Sequence, residues 1–399
     1  MESKVFYTDE VDDTEEVVQI IFDEFEDFAL KKNSLGIIFM EEDVEYLEIY
    51  QGLSERWKFP IIGCTATAML ASSDGYDSDG MTIMLMTADD CEFVAGVTGE
   101  LDRDNYKDSI SELYSGLHSQ LGEEEKLVIS YGVCVTAKNH VAADDLLAAT
   151  DEVCGHKPIV GGLAADRFNF ADTRVFCNDK LIKNGLVMAL VSGHIKPRYY
   201  HVTSMENSFS RQSYLITKSD HNEVMCLDGE PMKDVLEREN FEVSKTDVLR
   251  EYLLTPFIVT VPQPGGGEIR AARNLSLINQ ENKSGIFLGA MPEGATLQVG
   301  MVDREIVRET VDEVTDAMLA DIKDDEYTYS TMIVTSCAAR YLALAAQIED
   351  AAAGWVASLP KDLTMIGMYS NGEFCPVTDE KTGTDHNTFH NFTFCMLVI

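Results

Sequence analysis

The chain has 399 residues, of which 45% are hydrophobic and 25% are charged, a composition typical of a folded protein with a large core. Its 69 acidic residues outnumber its 31 basic residues and give a formal net charge of −38. This charge repels phosphate backbones and anionic lipid surfaces, so we expect neither nucleic-acid binding nor membrane insertion. We ascribe the acidity first to solubility and second to docking of a basic partner.

The length predicts two or three domains at roughly 100–200 residues per domain. The first residues, MESKVFYTDEVDD, lack the basic start and apolar core of a signal peptide. Nothing approaches the ~20 uninterrupted apolar residues of a membrane span. The nine cysteines are odd in number and form no CxxC pair, which favours reduced thiols over a disulfide framework or a zinc site. We therefore expect a cytoplasmic protein.

One order of elements occurs three times along the chain. Each copy has an apolar strand, a helix, a glycine phrase that begins another strand, a loop and a last strand. Copy one spans 35–40, 46–57, 60–70 (PIIGCTATAML) and 81–86; copy two spans 127–131, 140–153, 158–168 (PIVGGLAADRF) and 186–191; copy three spans 332–335, 338–357, 364–374 (TMIGMYSNGEF) and 392–399.

A helical crossover makes the first two strands of each copy parallel, and we expect the last strand to return antiparallel. The fold class predicted is α/β, with mixed sheets built from repeated strand–helix–strand–strand units in two domains. We place the boundary at Lys196-Pro197, which gives residues 1–196 two copies and residues 197–399 the third.

A different pattern fills residues 199–330, between copies two and three. Asp228-Gly229 indicates a tight turn between two strands. Strands are predicted at 213–218, 223–227, 257–261, 269–277, 285–288 and 295–301, and helices at 231–239 and 304–322. The segment PQPGGGE at 262–268 lacks the lysine and Ser/Thr of a phosphate loop, so we interpret it as a mobile loop, with a lid over the ligand as the alternative.

Several ordered motifs together resemble one known family. GCTATAML and PIVGGLAADRF look like the signature turns of the FIST N-terminal domain. The stretch from Arg273-Asn274 to Gly300-Met301, the motif GMYSNGE at 367–373 and the closing HNFT at 390–393 are similar to the FIST C-terminal domain. The first turn departs from the family pattern because it lacks the glycine–acidic pair that many members have there. The resemblance covers nearly the whole chain.

The resemblance implies a sensory module of intracellular signal transduction that binds a small ligand such as an amino acid. FIST domains often precede kinase, cyclase or chemotaxis output domains, and this chain ends with its FIST region. We therefore expect its signal to leave through a partner such as a histidine kinase or a cyclase. Some stand-alone members are haem proteins that sense nitric oxide, so the resemblance also makes haem possible, although no cofactor is the first expectation.

The glycine phrases supply the candidate ligand-binding residues, because ligands of α/β sheets bind where strands end. If the copies face one another, these turns line one cleft; otherwise each glycine simply permits a tight turn. A carboxylate from Asp166 or Glu373 suits a ligand ammonium group, and Arg340 suits a ligand carboxylate. The full candidate set is Gly63, Cys64, Thr65, Gly161, Gly162, Asp166, Arg340, Tyr369, Ser370, Asn371, Glu373, His390 and Asn391.

Other chemistry has weaker support. His386 and His390 are four residues apart, which suits a metal only on a helix, and a strand follows. His390 is a candidate haem ligand, or it forms a hydrogen-bonded pair with Asn391 that fixes the last loop. Cys64 or Cys337 could serve a cysteine-dependent enzyme acting on a small amide or thioester, but no catalytic signature accompanies them. We expect a binding protein rather than an enzyme.

Overall fold

The computed structural model describes residues 1–133, 141–203, 209–241, 243, 252–263, 267–379 and 382–399. Helices and strands alternate through this part of the chain, and the predicted α/β class is confirmed. The molecule has lobes 1, 2 and 3, which repeat one order of elements, and a β-rich subdomain inserted into lobe 3. Within the described ranges, no helix is long and apolar enough to cross a membrane.

Lobe 1 contains the first copy. Its elements are β1 (Glu2–Thr8), α1 (Thr14–Glu24), β2 (Asn33–Met40), α2 (Tyr46–Leu53), β3 (Ile61–Thr65), β4 (Met69–Ala71), β5 (Gly75–Asp77) and β6 (Met81–Ala88). The side chains of β2 alternate between two cores, as strand geometry requires. Ile37 and Phe39 face the centre of the molecule, whereas Ile38 and Met40 lie under the helices.

Lobe 2 repeats this order. Its elements are β7 (Cys91–Val97), α3 (Tyr106–His118), β8 (Glu125–Val133), α4 (Ala143–Val153), β9 (Ile159–Ala164), β10 (Val175–Cys177), β11 (Lys180–Ile182) and β12 (Leu186–Gly193). The predicted start of α4 at residue 140 lies outside the described residues, and the helix is described from Ala143.

Lobe 3 begins with β13 (Arg198–Thr203) and is then interrupted by the inserted subdomain. The insert comprises β14 (Tyr214–Asp220), β15 (Glu223–Leu227), β16 (Glu230–Pro231), α5 (Met232–Arg238), β17 (Phe257–Pro262), β18 (Glu268–Arg273), β19 (Leu275–Ile278), β20 (Gly285–Phe287) and β21 (Thr296–Val299). Asp228 and Gly229 have φ angles of 50° and 83°, so the predicted tight turn is confirmed. The predicted loop at 262–268 falls partly on residues 264–266, outside the described residues.

The rest of lobe 3 follows the insert. It comprises α6 (Arg304–Lys323), β22 (Thr331–Cys337), α7 (Ala338–Leu344), α8 (Ile348–Ser358), β23 (Thr364–Ser370), β24 (Glu373–Thr378), β25 (Asp385–His390) and β26 (Thr393–Val398). The prediction of one helix over 338–357 is wrong. The chain breaks at Ala345, whose φ is 48°, and a short 3₁₀ turn, Ala345–Gln347, separates α7 from α8.

The lobes exchange hairpins in a closed ring. In the described residues, the lobe sheets have the strand orders β1-β6-β2-β3-β10-β11, β7-β12-β8-β9-β24-β25 and β13-β26-β22-β23-β4-β5. The last two strands of each sheet are a hairpin that comes from a different lobe. Lobe 2 thus completes the sheet of lobe 1, lobe 3 completes that of lobe 2, and lobe 1 completes that of lobe 3.

The predicted strand directions are confirmed. The first two strands of each copy, β2–β3, β8–β9 and β22–β23, pair in parallel. The last strand of each copy, β6, β12 or β26, pairs antiparallel with the first. The inner faces of these sheets share one apolar core, in which the rings of Phe39 and Tyr131 stand 5.3 Å apart.

The insert has an apolar core of its own and docks on lobes 2 and 3. Its core includes Phe257 and Phe287, whose ring centroids are 5.4 Å apart. Arg273 attaches the insert by donating to the carboxylate of Asp144 on α4 at 3.1 Å and to the carbonyl of Phe389 on β25 at 2.9 Å. The position of the insert relative to the lobes is therefore set by buried polar contacts.

Candidate functional site

The three glycines of the repeated phrases occupy one equivalent position. Gly63, Gly161 and Gly367 each pair with a residue of the exchanged hairpin, which is Phe176, Phe374 or Leu70, respectively. A Cβ at Gly63 would collide with the carbonyl oxygen of Ile38 and lie 2.7 Å from the ring of Phe176. The glycine therefore allows the hairpin of another lobe to join the sheet.

The strand ends that follow these glycines meet at the centre of the molecule. The amide of Ala165 donates to the carbonyl of Thr65 at 2.9 Å, and the amide of Asn371 donates to the carbonyl of Leu163 at 3.2 Å. The amide of Thr67 donates to the carbonyl of Tyr369 at 3.0 Å and completes the junction. The turns thus converge, but they are packed and hydrogen-bonded to one another.

Every residue of the predicted set is buried. The set is Gly63, Cys64, Thr65, Gly161, Gly162, Asp166, Arg340, Tyr369, Ser370, Asn371, Glu373, His390 and Asn391. Their use by a ligand stays a prediction, and their contacts divide them into those that brace the junction and those that line a cavity.

Asp166 holds the loop that follows β9. Its Oδ1 accepts from the amides of Asn169 and Phe170 at 3.0 and 2.9 Å. Its Oδ2 accepts from the amides of Ala171 and Asp172 at 2.8 and 3.3 Å. Because a carboxylate offers about four lone-pair positions, these bonds occupy the group that we assigned to a ligand ammonium.

Glu373 lies deep in the junction and is fully buried. Ser370 Oγ lies 2.9 Å from its Oε1, and the amide of Thr393 lies 3.3 Å from its Oε2. Burial raises the pKa of Glu373 well above its usual range, and these hydrogen bonds offset only part of the shift. Burial therefore favours the neutral form of this side chain over the charged form that a ligand ammonium would need.

The two candidate asparagines also make internal contacts. Asn371 Nδ2 donates to the carbonyl of Ala164 at 3.1 Å, which joins lobe 3 to lobe 2. Asn391 Oδ1 accepts from the amide of Asn274 at 3.4 Å, which joins lobe 3 to the insert. Two of the motifs that carried the FIST C resemblance, which include residues 273–274 and 390–393, are thus in contact with each other.

Arg340 and Tyr369 lie at the floor of a cavity of about 410 Å³, which we call the lobe-3 cavity. It lies between α6 and α8, above the ends of β22 and β23. Arg340 is 2% exposed, donates from Nη2 to the carbonyl of Val307 at 2.8 Å and stands 5.7 Å from the ring centroid of Phe394. Burial lowers the pKa of Arg340, but a guanidinium stays charged in proteins.

The walls of the lobe-3 cavity are apolar and its rim is acidic. Trp355 packs edge-on against Phe394 at 5.2 Å, and its ring nitrogen donates to Thr315 Oγ1 at 2.9 Å. Asp312, Asp316 and Asp350 lie at the rim together with Arg308. The sequence did predict the helix that carries Asp312 and Asp316. Its acidic residues Asp312 and Asp316, four positions apart, could have marked a rim.

His390 lines a separate cavity of about 490 Å³, together with His201, Glu268, Arg270 and Asp379. The rings of the two histidines stand 5.2 Å apart, and His390 Nε2 donates to the carbonyl of Cys375 at 3.1 Å. Burial lowers the pKa of both His201 and His390, so both are neutral at pH 7. We call this space the histidine cavity.

Metal binding by His386 and His390 finds no support in the strand that carries them. Both lie on β25, where four residues span roughly 13 Å. Within the described ranges, no group of three or more His, Cys, Asp or Glu side chains could hold a metal ion.

The two candidate nucleophilic cysteines are buried, and Cys337 lies beside the carboxyl group of Glu373. Cys64 is fully buried with its Sγ 3.4 Å from Met368 Sδ, and Cys337 is buried at the end of β22. Burial raises the pKa of each thiol well above its usual range. Reactive cysteines need the opposite shift, toward the thiolate.

Comparison with protein-family models gives two matches that follow one another along the chain. The FIST N domain matches residues 34–230, and the FIST C domain matches residues 232–376. A search of curated proteins gives no match. The two matched segments meet between β16 and α5, whereas the boundary that we predicted at 196–197 lies between β12 and β13 and stays a prediction. Because the two domains follow in order and cover most of its length, the chain belongs to the FIST family.

Proposed function

We propose that this protein is a sensor that binds a small amino-acid-like zwitterion in the lobe-3 cavity and signals through a separate partner. FIST domains are associated with sensory roles in signal transduction. The observation that carries the proposal is the buried guanidinium of Arg340 at the floor of a cavity that Trp355 and Phe394 also line. A buried arginine is suited to bind a carboxylate with two parallel hydrogen bonds.

The charges of the cavity favour a zwitterion in one orientation. A ligand carboxylate would lie beside Arg340 and Tyr369, and a ligand ammonium would lie toward Asp312, Asp316 and Asp350 at the rim. The apolar wall formed by Trp355 and Phe394 would contact the body of the ligand. The volume of about 410 Å³ lies within the range of small-molecule sites.

The cavity also offers a route for the signal. Leu70, which belongs to the hairpin contributed by lobe 1, lines it together with Val307 of α6 and Ala351 of α8. A ligand would thus contact elements of two lobes. If it binds one arrangement of these lobes more tightly than another, it shifts the equilibrium between the two arrangements, as a sensor requires. The partner that receives the signal is proposed to be a separate signalling protein, such as a histidine kinase or a cyclase.

The test is calorimetric titration of the full chain with a panel of amino acids and small carboxylates. We expect the affinity for the ligand to fall about 100-fold in Arg340→Met and about threefold to tenfold in Asp312→Asn. Glu309→Gln is the matched control, because Glu309 is exposed on the same helix. If no amino acid or carboxylate binds, or if Arg340→Met binds with unchanged affinity, the proposal is wrong.

Haem is the second candidate, because His390 and His201 share the histidine cavity. The residues present do not fit the group as they stand. His390 Nε2 is bonded to the carbonyl of Cys375, and the carboxylates of Glu268 and Asp379 line the cavity and would repel the anionic propionates of a haem. A titration with hemin decides the matter, since a Soret band that His390→Gln abolishes would favour the haem sensor.

A further inference from the structure

The strand end beside the lobe-3 cavity has an equivalent in each of the other lobes. Thr65, Leu163 and Tyr369 each stand two residues after the equivalent glycines. Tyr369 lines the lobe-3 cavity, and Leu163 lines a cavity of about 680 Å³ in lobe 2. We call this second space the lobe-2 cavity.

Lobe 1 has a large side chain at the start of its crossover helix. Tyr46, the first residue of α2, stacks on Phe176 with ring centroids 3.8 Å apart, and both rings are buried. The first residue of α4 in lobe 2 is Ala143, which lines the lobe-2 cavity. The crossover helix of lobe 2 thus begins with a small side chain, whereas that of lobe 1 begins with a tyrosine.

The lobe-2 cavity has an apolar wall that includes an exposed leucine. Lobe 2 contributes Leu163 and Phe170, and the insert contributes Leu277 and Ile286. Leu277 is 42% exposed, although large apolar side chains are usually covered. Apolar surface left open inside a concave site is typical of a ligand site.

The polar side of the lobe-2 cavity is acidic. Asp145 of α4 lines it from lobe 2, and Asp220 and Glu223 line it from the β14–β15 hairpin of the insert, against the cation Arg103. His221 lies between two of these carboxylates, 3.9 Å from Asp145 Oδ2 and 3.8 Å from Asp220 Oδ1. This arrangement differs from the lobe-3 cavity, where the buried floor carries a cation.

We propose that the lobe-2 cavity is a second ligand site, and that it takes an organic amine with an apolar or aromatic body and no carboxylate. The ammonium group would lie among Asp145, Asp220 and Glu223, and the apolar body would cover Leu277 and Leu163. Phe170 also lines the cavity, and an aromatic ring attracts an organic cation. Because its walls come from lobe 2 and from the insert, the bound amine strengthens the docking of one on the other.

This inference does not rest on the function proposed above. Three probes that share a phenyl ring on a two-carbon chain distinguish this site from the lobe-3 cavity. The probes are 2-phenylethylamine, L-phenylalanine and 3-phenylpropionate, which carry an ammonium, both charges and a carboxylate, respectively. Each is titrated calorimetrically into the full chain. We expect 2-phenylethylamine to bind more than tenfold more tightly than 3-phenylpropionate at the lobe-2 cavity, and to bind Arg340→Met as well as the unmodified protein.

The decisive variant is Leu277→Arg, which places a cation in the cavity at an exposed position that should not disturb folding. We expect Leu277→Arg to lower the affinity for 2-phenylethylamine at least tenfold, and Asp145→Asn to lower it threefold to tenfold. Leu215→Arg is the matched control, because Leu215 is 43% exposed and belongs to the same subdomain. Failure of 2-phenylethylamine to bind, unchanged affinity in Leu277→Arg, or loss of binding in Arg340→Met would each overturn the proposal. If 3-phenylpropionate binds as tightly as 2-phenylethylamine, the assignment of the site to a positively charged ligand is wrong.

Discussion

The guanidinium of Arg340 donates a hydrogen bond to the backbone carbonyl of Val307, 2.8 Å away, and so connects the floor of the lobe-3 cavity to α6. Arg340 stands on α7, directly after β22, whereas Val307 belongs to the helix that forms the opposite wall. A ligand carboxylate that binds Arg340 would compete with this bond or extend it. In both cases, ligand binding would change the contact between Arg340 and α6.

Arg340→Lys tests whether the planar fork of the arginine matters or only its charge. Lysine keeps one positive charge but offers it as a flexible point charge on a different stem. We expect about tenfold weaker binding of an amino-acid ligand than in the unmodified protein, and about tenfold stronger binding than in Arg340→Met. Calorimetric titration of the three proteins under one set of conditions measures this, and equal affinities for the Lys and Met variants would show that charge is not used.

Gly63→Ala should be strongly destabilising, because its Cβ would collide with the carbonyl of Ile38 in the adjacent strand and press on the Phe176 ring. We expect a loss of about 3 kcal/mol or more in the free energy of unfolding, comparable to other overpacked or strained sites. Gly116→Ala is the matched control. Gly116 lies in α3 with open space at its Cβ position, so alanine there should stabilise by about 0.5–1 kcal/mol. Denaturant unfolding followed by circular dichroism compares the two.

The histidine cavity should make the protein sensitive to mild acid. Burial lowers the pKa of His390, with His201 and Arg273 adding repulsion, so the folded state resists protonation. The corresponding stability is present above the ordinary histidine pKa of about 6.5 and is lost as pH falls below it. We expect His390→Gln to flatten the fall in melting temperature between pH 7 and pH 5, while His194→Gln, at an exposed position, leaves it unchanged. An unaltered pH profile in His390→Gln would refute this.

Glu373 predicts a pH dependence of the opposite sign. Burial raises its pKa in the folded state, so the unfolded chain releases this proton first as pH rises above about 4.3. Stability is therefore lost progressively above that pH, up to the raised pKa of the folded state. We expect the melting temperature of Glu373→Gln, relative to the unmodified protein, to be higher at pH 8 than at pH 5. Differential scanning calorimetry at both values checks this, and a constant difference would mean that Glu373 is ionised in the fold.

The repeated unit could be predicted from the sequence because its strands are continuous apolar runs with helical periodicity between them. Residues 35–40 and 186–191 illustrate this, since they fall within β2 and β12. The exchanged hairpins could not be predicted, because strands as short as Met69–Ala71 carry almost no periodicity and their partners lie far away in sequence. The break at Ala345 was missed because an alanine-rich run favours a continuous helix.

The site was predictable only in part, for a similar reason. The glycine phrases drew attention to the strand ends, and Arg340 and Tyr369 do line a cavity there. The sequence gives no measure of burial, so Asp166 was assigned to a ligand although its oxygens accept four neighbouring amides. The rim acids of α6 could not be told from the many other surface carboxylates of a chain with 69 acidic residues.

The exchange of hairpins predicts that no lobe pair folds independently. A fragment of residues 1–196 would lack β24, which pairs with β9 in the sheet of lobe 2, and β25, which pairs with β24. Its own β4 and β5 would have no sheet to join. Apolar residues of the shared core, such as Ile129 and Cys64, would then meet solvent where lobe 3 is missing. We therefore expect the full chain to unfold in one main transition, and the 1–196 fragment to show no cooperative transition and to bind a hydrophobic dye. A fragment that melts cooperatively would instead support the boundary at 196–197 as a true domain limit.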